Sequence, residues 1–387
     1  MSRIAIVNFN SGEISPELDA RPDIEKYVGG CRSLKNMIPD VFGNATRRPG
    51  TELIQIGNGY ACYYEAIVPD ETKIGITTME ELALIGNDEA YPLSGDYELL
   101  NNLDGTGFDF TPIGTPALPF EGTFDGNNFS ISNITYTTTD KEFGGLFVKL
   151  VGSTIENLNI SNMTITGPAV NTINFSAGLL CASSLGTASI TNVHVSGSIT
   201  AHRLVNVGGL GGQINHHISM CSADVAITAN GNYIFDVGGL VGICGSETID
   251  NTYAQGSITS VPELVNVGGL IGQGTPVVQA MTNSYSAVII TGTVSANVGG
   301  LVGLTADTSP DYTSCFWDDT IIPVLDLDDI GDEGDDDGIT KSTTGAMQAQ
   351  STFTGWDFTD IWYVPTNDYP RFLWQKEADK KLICYPL

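Results

Sequence analysis

A five-residue run, Gly-Gly-Leu-Val-Gly, returns along the middle of this chain at a nearly constant interval. Aligned on the glycine pair it reads FGGLFVKLVG from Phe143, SAGLLC from Ser176, NVGGLGG from Asn206, DVGGLVG from Asp236, NVGGLIG from Asn266 and NVGGLVG from Asn297. The following leucine falls at Leu146, Leu179, Leu210, Leu240, Leu270 and Leu301, with spacings of 33, 31, 30, 30 and 31 residues. Such a period marks a stacked architecture. One turn of this length cannot bury its apolar face alone, but coils stacked ~4.8 Å apart turn each sequence column into a continuous ladder.

The second half of each unit alternates with period two, as in Ile190-Thr191-Asn192-Val193-His194-Val195, which is strand periodicity. Apolar residues recur in columns: Ile155, Ile190, Ile218, Ile249 and Met281, then Ile199, Ile227, Ile258 and Ile290. Asn157, Asn192, Asn251 and Asn283 form a further column, broken by Met220, which reads as a hydrogen-bond ladder at a turn. The expected fold is all-β, a parallel solenoid of roughly seven to nine coils, with glycines where the chain bends sharply or packs without a Cβ.

The GGLVG runs, with DNTYAQGSIT and TNSYS between them, resemble the GLUG-motif β-helix proteins of bacterial and phage surfaces. The family's lead-in is matched by Ile76–Asp88, Tyr91–Asp104 and Pro119–Ile134, and its ending by Cys315–Thr320, Thr344–Phe358 and Asp368–Trp374. The resemblance implies a right-handed parallel β-helix and names no activity. Thr77 and Thr78 before Glu80 and Glu81 predict a short helix capping the first coil. Phe353, Trp356, Phe358, Trp362, Tyr363, Tyr369 and Trp374 predict an aromatic C-terminal cap. The expected division is residues 1–66, the solenoid at 67–310, and a C-terminal cap at 311–387.

The formal charge of −29 is unevenly spread: residues 1–50 hold seven Lys/Arg against six acids, and between Lys149 and Lys341 the one basic side chain is Arg203. A body this acidic repels nucleic acid and anionic membrane. No apolar stretch approaches the ~20 residues that span a bilayer, and the start shows no secretory signal. The seven cysteines are scattered and never form Cys-x-x-Cys, which fits a reducing cytoplasm, with Cys181, Cys221 and Cys244 as core fillers.

Residues 8–54 follow a different rule. Phe9-Asn10-x-Gly12-Glu13-x-Ser15-Pro16, Asp19-x-Arg21-x-Asp23, Tyr27, Asn36 and the run Gly43 to Thr51, which holds Arg47, Arg48, Pro49 and Gly50, resemble the start of the nozzle (tail tubular) proteins of short-tailed phages. Those proteins continue into large β lobes, whereas a repeat body follows here. The resemblance implies a tail-docking segment. Arg47 and Arg48 either offer fork-shaped donors to a partner's carboxylates or pair within the segment.

Glycan hydrolysis would need two carboxylates ~5–9 Å apart in a groove. Asp224, Asp236, Glu247, Asp250 and Glu263 lie on neighbouring coils, but their spacing selects no pair. His194, His202, His216 and His217 have no metal-ligand spacing, and His216-His217 reads as a turn. The run 324–338 carries eight acids and reads as a solvated loop; Glu333, Asp335 and Asp337 start like a calcium loop, but position twelve is Thr344. No cofactor and no enzymatic activity are expected.

These readings predict a virion protein of a tailed phage, a fibre or appendage docked to nozzle or adaptor proteins and contacting a host receptor, glycan included. It would be multimeric, assembled in the host cytoplasm, and would bind no nucleic acid and enter no membrane. The alternatives are a glycan-degrading tailspike, a nozzle subunit with a solenoid body, and a bacterial surface adhesin.

Overall fold

The computed structural model describes residues 72–378 apart from 246–247, 276–279, 306–310, 323–326 and 333–337, together with the short strands Arg3–Ile4, Leu18–Asp19, Leu53–Ile56 and Gly59–Cys62. The chain forms two units. One holds Asp70–Phe358 with Val364–Pro370; the other holds Met1–Pro69, Thr359–Tyr363 and Arg371–Leu387.

The larger unit is a parallel β-solenoid of about seven turns. Its long strands are β1 (Thr154–Thr166), β2 (Ser189–Gly208), β3 (Ser222–Gly238), β4 (Tyr253–Gly268) and β5 (Tyr285–Thr305), each in parallel register with the next. One ladder runs Ile74, Tyr97, Phe124, Ile155, Ile190, Ile218, Ile249, Met281 and Tyr312, so the predicted column extends three rungs earlier and one later. The leucines after the glycine pairs are all 0% exposed, and Leu210 N, Leu240 N and Leu270 N donate to the carbonyls of Leu240, Leu270 and Leu301 at 2.9, 2.9 and 2.8 Å. Cys181, Cys221, Cys244 and Cys315 are buried, and burial pushes Cys181 and Cys221 up to about 12.

The glycine pair answers to close approach between coils. A Cβ on Gly239 would lie 2.2 Å from the Gly269 carbonyl oxygen, and one on Gly268 would lie 2.6 Å from Gly303 N, each on the next coil. No side chain fits without separating the coils.

Corners are made by residues in the left-handed region. Asn157, Asn192, Met220, Asn251, Asn283 and Ser314 form one such column, with φ from 50° to 58°, and Asn206, Asp236, Asn266 and Asn297 another. Asparagine tolerates this region and its amide then reaches the next rung. Asn192 Nδ2 donates to Asn157 Oδ1 at 2.9 Å, Asn157 Nδ2 to Asp125 Oδ1 at 3.1 Å, and Asn297 Nδ2 to Asn266 Oδ1 at 2.8 Å. At Met220 the first column is cut, and Asn192 Oδ1 is left buried without a partner. Between corners, one strand position carries threonine on six successive rungs: Thr137, Thr166, Thr200, Thr228, Thr259 and Thr291.

The predicted helix is α1 (Met79–Leu84), closed by a capping box in which Thr78 accepts from Glu81 N at 3.2 Å. Glu81 Oε2 accepts from Thr77 N at 2.6 Å, and these main-chain donors hold its carboxyl below the usual range. Met79 and Leu82 are its buried residues, so the helix is fastened by its apolar face.

The aromatic C-terminal cluster is present. Tyr253, Tyr285 and Phe316 occupy successive rungs, the two tyrosines stacked at 5.1 Å and 6°. Phe353 and Trp356 pack on Phe316 at 4.9 and 5.9 Å, and Tyr369 lies 6.1 Å from Tyr285, whose hydroxyl donates to the Pro370 carbonyl. Asp318, 1% exposed, accepts from Thr344 Oγ1 at 2.6 Å and Tyr369 Oη at 2.7 Å.

In the smaller unit, Arg3–Ile4 pairs antiparallel with Leu18–Asp19, and Leu53–Ile56 with Gly59–Cys62. Trp362–Tyr363 pairs antiparallel with Arg371–Phe372, the Trp362 and Phe372 rings lying 4.5 Å apart.

Part of the acidic run departs from the loop expected. Asp328–Ile330 is a strand in the solenoid sheet, Asp328 opposite Gly299 and Ile330 opposite Val302. Leu327 and Ile330 supply buried apolar anchors, and the buried Asp329 is satisfied by Trp317 Nε1 at 2.6 Å. Periodicity was masked here by the density of acids.

Two substitutions test this account. Met220→Asn relieves a left-handed methionine and completes the amide column, and is expected to stabilise the solenoid by about 1–2 kcal/mol. Gly239→Ala is expected to cost about 2–3 kcal/mol or more, because backbone of the next coil must move. Denaturant titration of each purified variant measures both.

Candidate functional site

The sequence-selected acids do not converge. Asp224 faces Ser196 and Gln255 on neighbouring rungs; Asp250 faces Ser219 and Thr282; Asp236 sits at a corner, where Asn266 Nδ2 donates to it at 2.8 Å. The three occupy three different columns, so none is stacked over another as a carboxylate pair would require. Burial raises the Asp236 carboxyl, opposed by the Asn266 bond. Glu247 lies outside the described residues, as does the side chain of Glu263.

The docking residues Phe9, Asn10, Gly12, Ser15, Pro16, Arg21, Asp23, Tyr27, Asn36, Arg47, Arg48, Pro49 and Gly50 lie outside the described residues, as do Glu333, Asp335 and Asp337. Asp19 lies on the strand Leu18–Asp19. Among the described residues, no cluster of three or more His, Cys, Asp or Glu could hold a metal ion. No helix among them is long and apolar enough to cross a membrane.

A polar grouping across three coils forms at His216-His217, where the sequence predicts a turn. His216 Nε2 bonds Ser184 Oγ on the preceding coil. His217 turns the other way, its Nδ1 meeting Thr248 Oγ1 at 2.6 Å and its Nε2 lying 3.3 Å from Asp250 Oδ1 on the following coil. Asp250 Oδ2 also accepts from Ser219 Oγ at 2.8 Å and Asn251 Nδ2 at 2.9 Å. The signal that reveals it is repeat alignment, which sets Ser219 over Asp250.

Its chemistry is structural. Ser184 is 0% exposed, so its hydroxyl cannot reach a substrate. Ser219 gives its proton to Asp250 and not to an imidazole, so the order nucleophile, base, orienting acid is missing. The histidines tie three successive coils at the edge of the repeat. Burial lowers the His216 pKa, against a raising bond from the His217 carbonyl, while the neighbouring His217 ring lowers it further.

No family model matches the chain. It is 34% identical over 128 residues to a Gly-rich membrane protein, provisionally so named, of Evansella cellulosilytica, covering 32% of this chain and 14% of that protein. It is 27% identical over 187 residues to an immunoglobulin A1 protease of Streptococcus sanguinis, covering 39% of this chain and 9% of that protein. The chain thus spans a small fraction of these relatives. The crystal structure of a candidate immunoglobulin A1 protease from Bacteroides ovatus superposes with a TM-score of 0.60 and 20% identity, covering 83% of this chain and 95% of that one. At that identity the likeness is one of fold, and it supports the β-helical body.

One expectation is corrected by these likenesses. The sequence predicts no enzymatic activity because its repeats carry no catalytic motif, yet proteins named as proteases contain regions similar to this chain. A motif search within the repeat does not decide the question, since chemistry in a longer protein can lie outside its solenoid.

Because folded His216 resists protonation that the unfolded chain accepts below about pH 6.5, its contribution to stability is lost as pH falls through that value toward the lowered folded pKa. The Tm of the wild-type chain is therefore expected to fall between about pH 7.5 and 5.5, and to fall less in His216→Gln. Calorimetry across that range is the check.

Proposed function

We propose that the chain is an appendage of a phage tail, held by its amino-terminal segment and presenting the solenoid to the host surface. One observation carries the reading: a run of residues, Phe9 to Gly50, that resembles the start of short-tailed phage nozzle proteins stands directly before a body of unrelated, repetitive design. Support comes from the body's construction. Its coils satisfy one another through main-chain bonds, so attachment falls to a different segment. The partial coverage of much longer relatives, 14% and 9%, also fits a module that different anchors carry.

Under this reading the partners are nozzle or adaptor subunits on one side and a host receptor on the other. Rotational symmetry of a tail makes the appendage multimeric. A second reading is favoured by the fold likeness to the Bacteroides ovatus structure: the chain is a β-helical module of a surface protein of the kind named immunoglobulin A1 protease.

Deleting residues 1–54 is expected to abolish incorporation into particles while leaving the β-sheet circular dichroism signal of the body. Truncated chain entering particles at the full-length level would end the docking role. Capture or cleavage of immunoglobulin A1 by the purified chain would favour the second reading, and new reducing ends from host polysaccharide would favour a tailspike.

A further inference from the structure

Between α1 and the turn after Leu103–Asp104 lies an open cleft of about 400 Å³, within the size range of small-molecule sites. Its floor is apolar: Met79 is 5% exposed and Leu103 2%. One wall is the half-exposed ring of Phe108. The rim is polar, formed by Glu80, Asn102 and Asp104.

The rim is ordered from behind. Asp104 Oδ1 accepts from Thr106 Oγ1 at 2.7 Å, Asn133 Nδ2 at 2.9 Å and Thr106 N at 3.0 Å. Asn102 Oδ1 accepts from Ser130 N at 2.9 Å and Ser130 Oγ at 3.2 Å. Each side chain is therefore fixed through one oxygen, Asn102 by the next coil and Asp104 by the next coil together with its own turn. The remaining atoms, Asp104 Oδ2 and Asn102 Nδ2, have no hydrogen bond within the described residues, and neither does the Glu80 carboxylate. An acceptor, a donor and a second acceptor thus edge an apolar floor beside a partly exposed aromatic ring.

We propose that this cleft binds one pyranose unit of a non-acidic glycan. A pyranose presents an apolar C–H face, which suits the Phe108 ring and the floor, and an edge of hydroxyls that both donate and accept. Carboxylates and amides held in place by their own framework serve such hydroxyls without losing rotamer freedom on binding. Uronic and sialic acids are excluded, since the rim carries two carboxylates and no basic side chain lines the cleft. The six residues come from one turn of helix and one strand-to-turn segment, Met79–Glu80 and Asn102–Phe108. The site therefore belongs to the first coils alone.

The inference goes beyond the tail assignment and does not depend on it. The purified full-length chain in solution tests the cleft, whereas particle incorporation tests docking, and either can fail alone.

The experiment is isothermal titration of the full-length chain with the tetramers of glucose, mannose and N-acetylglucosamine, with galacturonate tetramer as the acidic probe. Saturable binding of at least one neutral tetramer and none of the galacturonate is expected. Phe108→Ala, which removes a half-exposed ring, is expected to weaken that binding at least tenfold. Asp104→Asn is expected to weaken it, and the remote exposed Asp311→Asn to leave it unchanged. Unaltered circular dichroism of each variant separates loss of the cleft from loss of fold. The proposal is overturned if no neutral tetramer binds, if galacturonate binds as well as they do, or if Phe108→Ala binds like wild type.

Discussion

Main-chain hydrogen bonds passing from each coil to the next set the terms for everything else in the body. They hold equivalent residues one strand spacing apart, so each side chain must accept a near copy of itself above and below. Leucine, isoleucine, threonine, tyrosine and asparagine all satisfy that condition and all form columns here. Glycine satisfies it where the main chains themselves converge, as at Gly239.

Charge satisfies it poorly. Like charges directly opposite in a sheet repel, and a chain at −29 must nevertheless carry its acids somewhere. On the later coils the acids are diluted: Asp224 lies between Ser196 and Gln255, Asp250 between Ser219 and Thr282, and Asp236 is met by Asn266. The first coils depart from this: Glu98, Asp125 and Glu156 occupy successive rungs, and Lys73 lies 3.3 Å from Asp125 among them.

The stack was legible because its residues repeat: the leucine interval, the period-two strands, the asparagine corners and the cap before α1 could all be read from spacing alone. What escaped was whatever does not repeat. Asp328–Ile330 joins the sheet although its neighbours are acids, since two apolar residues and one tryptophan donor suffice to place it. The histidine cluster spans three coils, so no local window contains it. The Phe108 cleft joins a helix to a turn some twenty-five residues on, and its polar rim is oriented by Ser130 and Asn133 from the next rung. Such sites are properties of the alignment between coils, and single-sequence spacing does not display them.

The aromatic rungs carry a last implication, for how such a chain changes over generations. Tyr285 and Phe316, with Tyr253 stacked beneath, are covered by Phe353, Trp356, Tyr369 and Pro370, which fit those particular rungs. Upstream of Tyr253 each coil meets a surface much like its own. Duplication or loss of a thirty-residue stretch of the gene there would leave every junction chemically familiar, altering reach by ~4.8 Å a step. The same event nearer the carboxyl end would slide the seal off its rings. Length is thus heritable in increments at one end of the stack and frozen at the other.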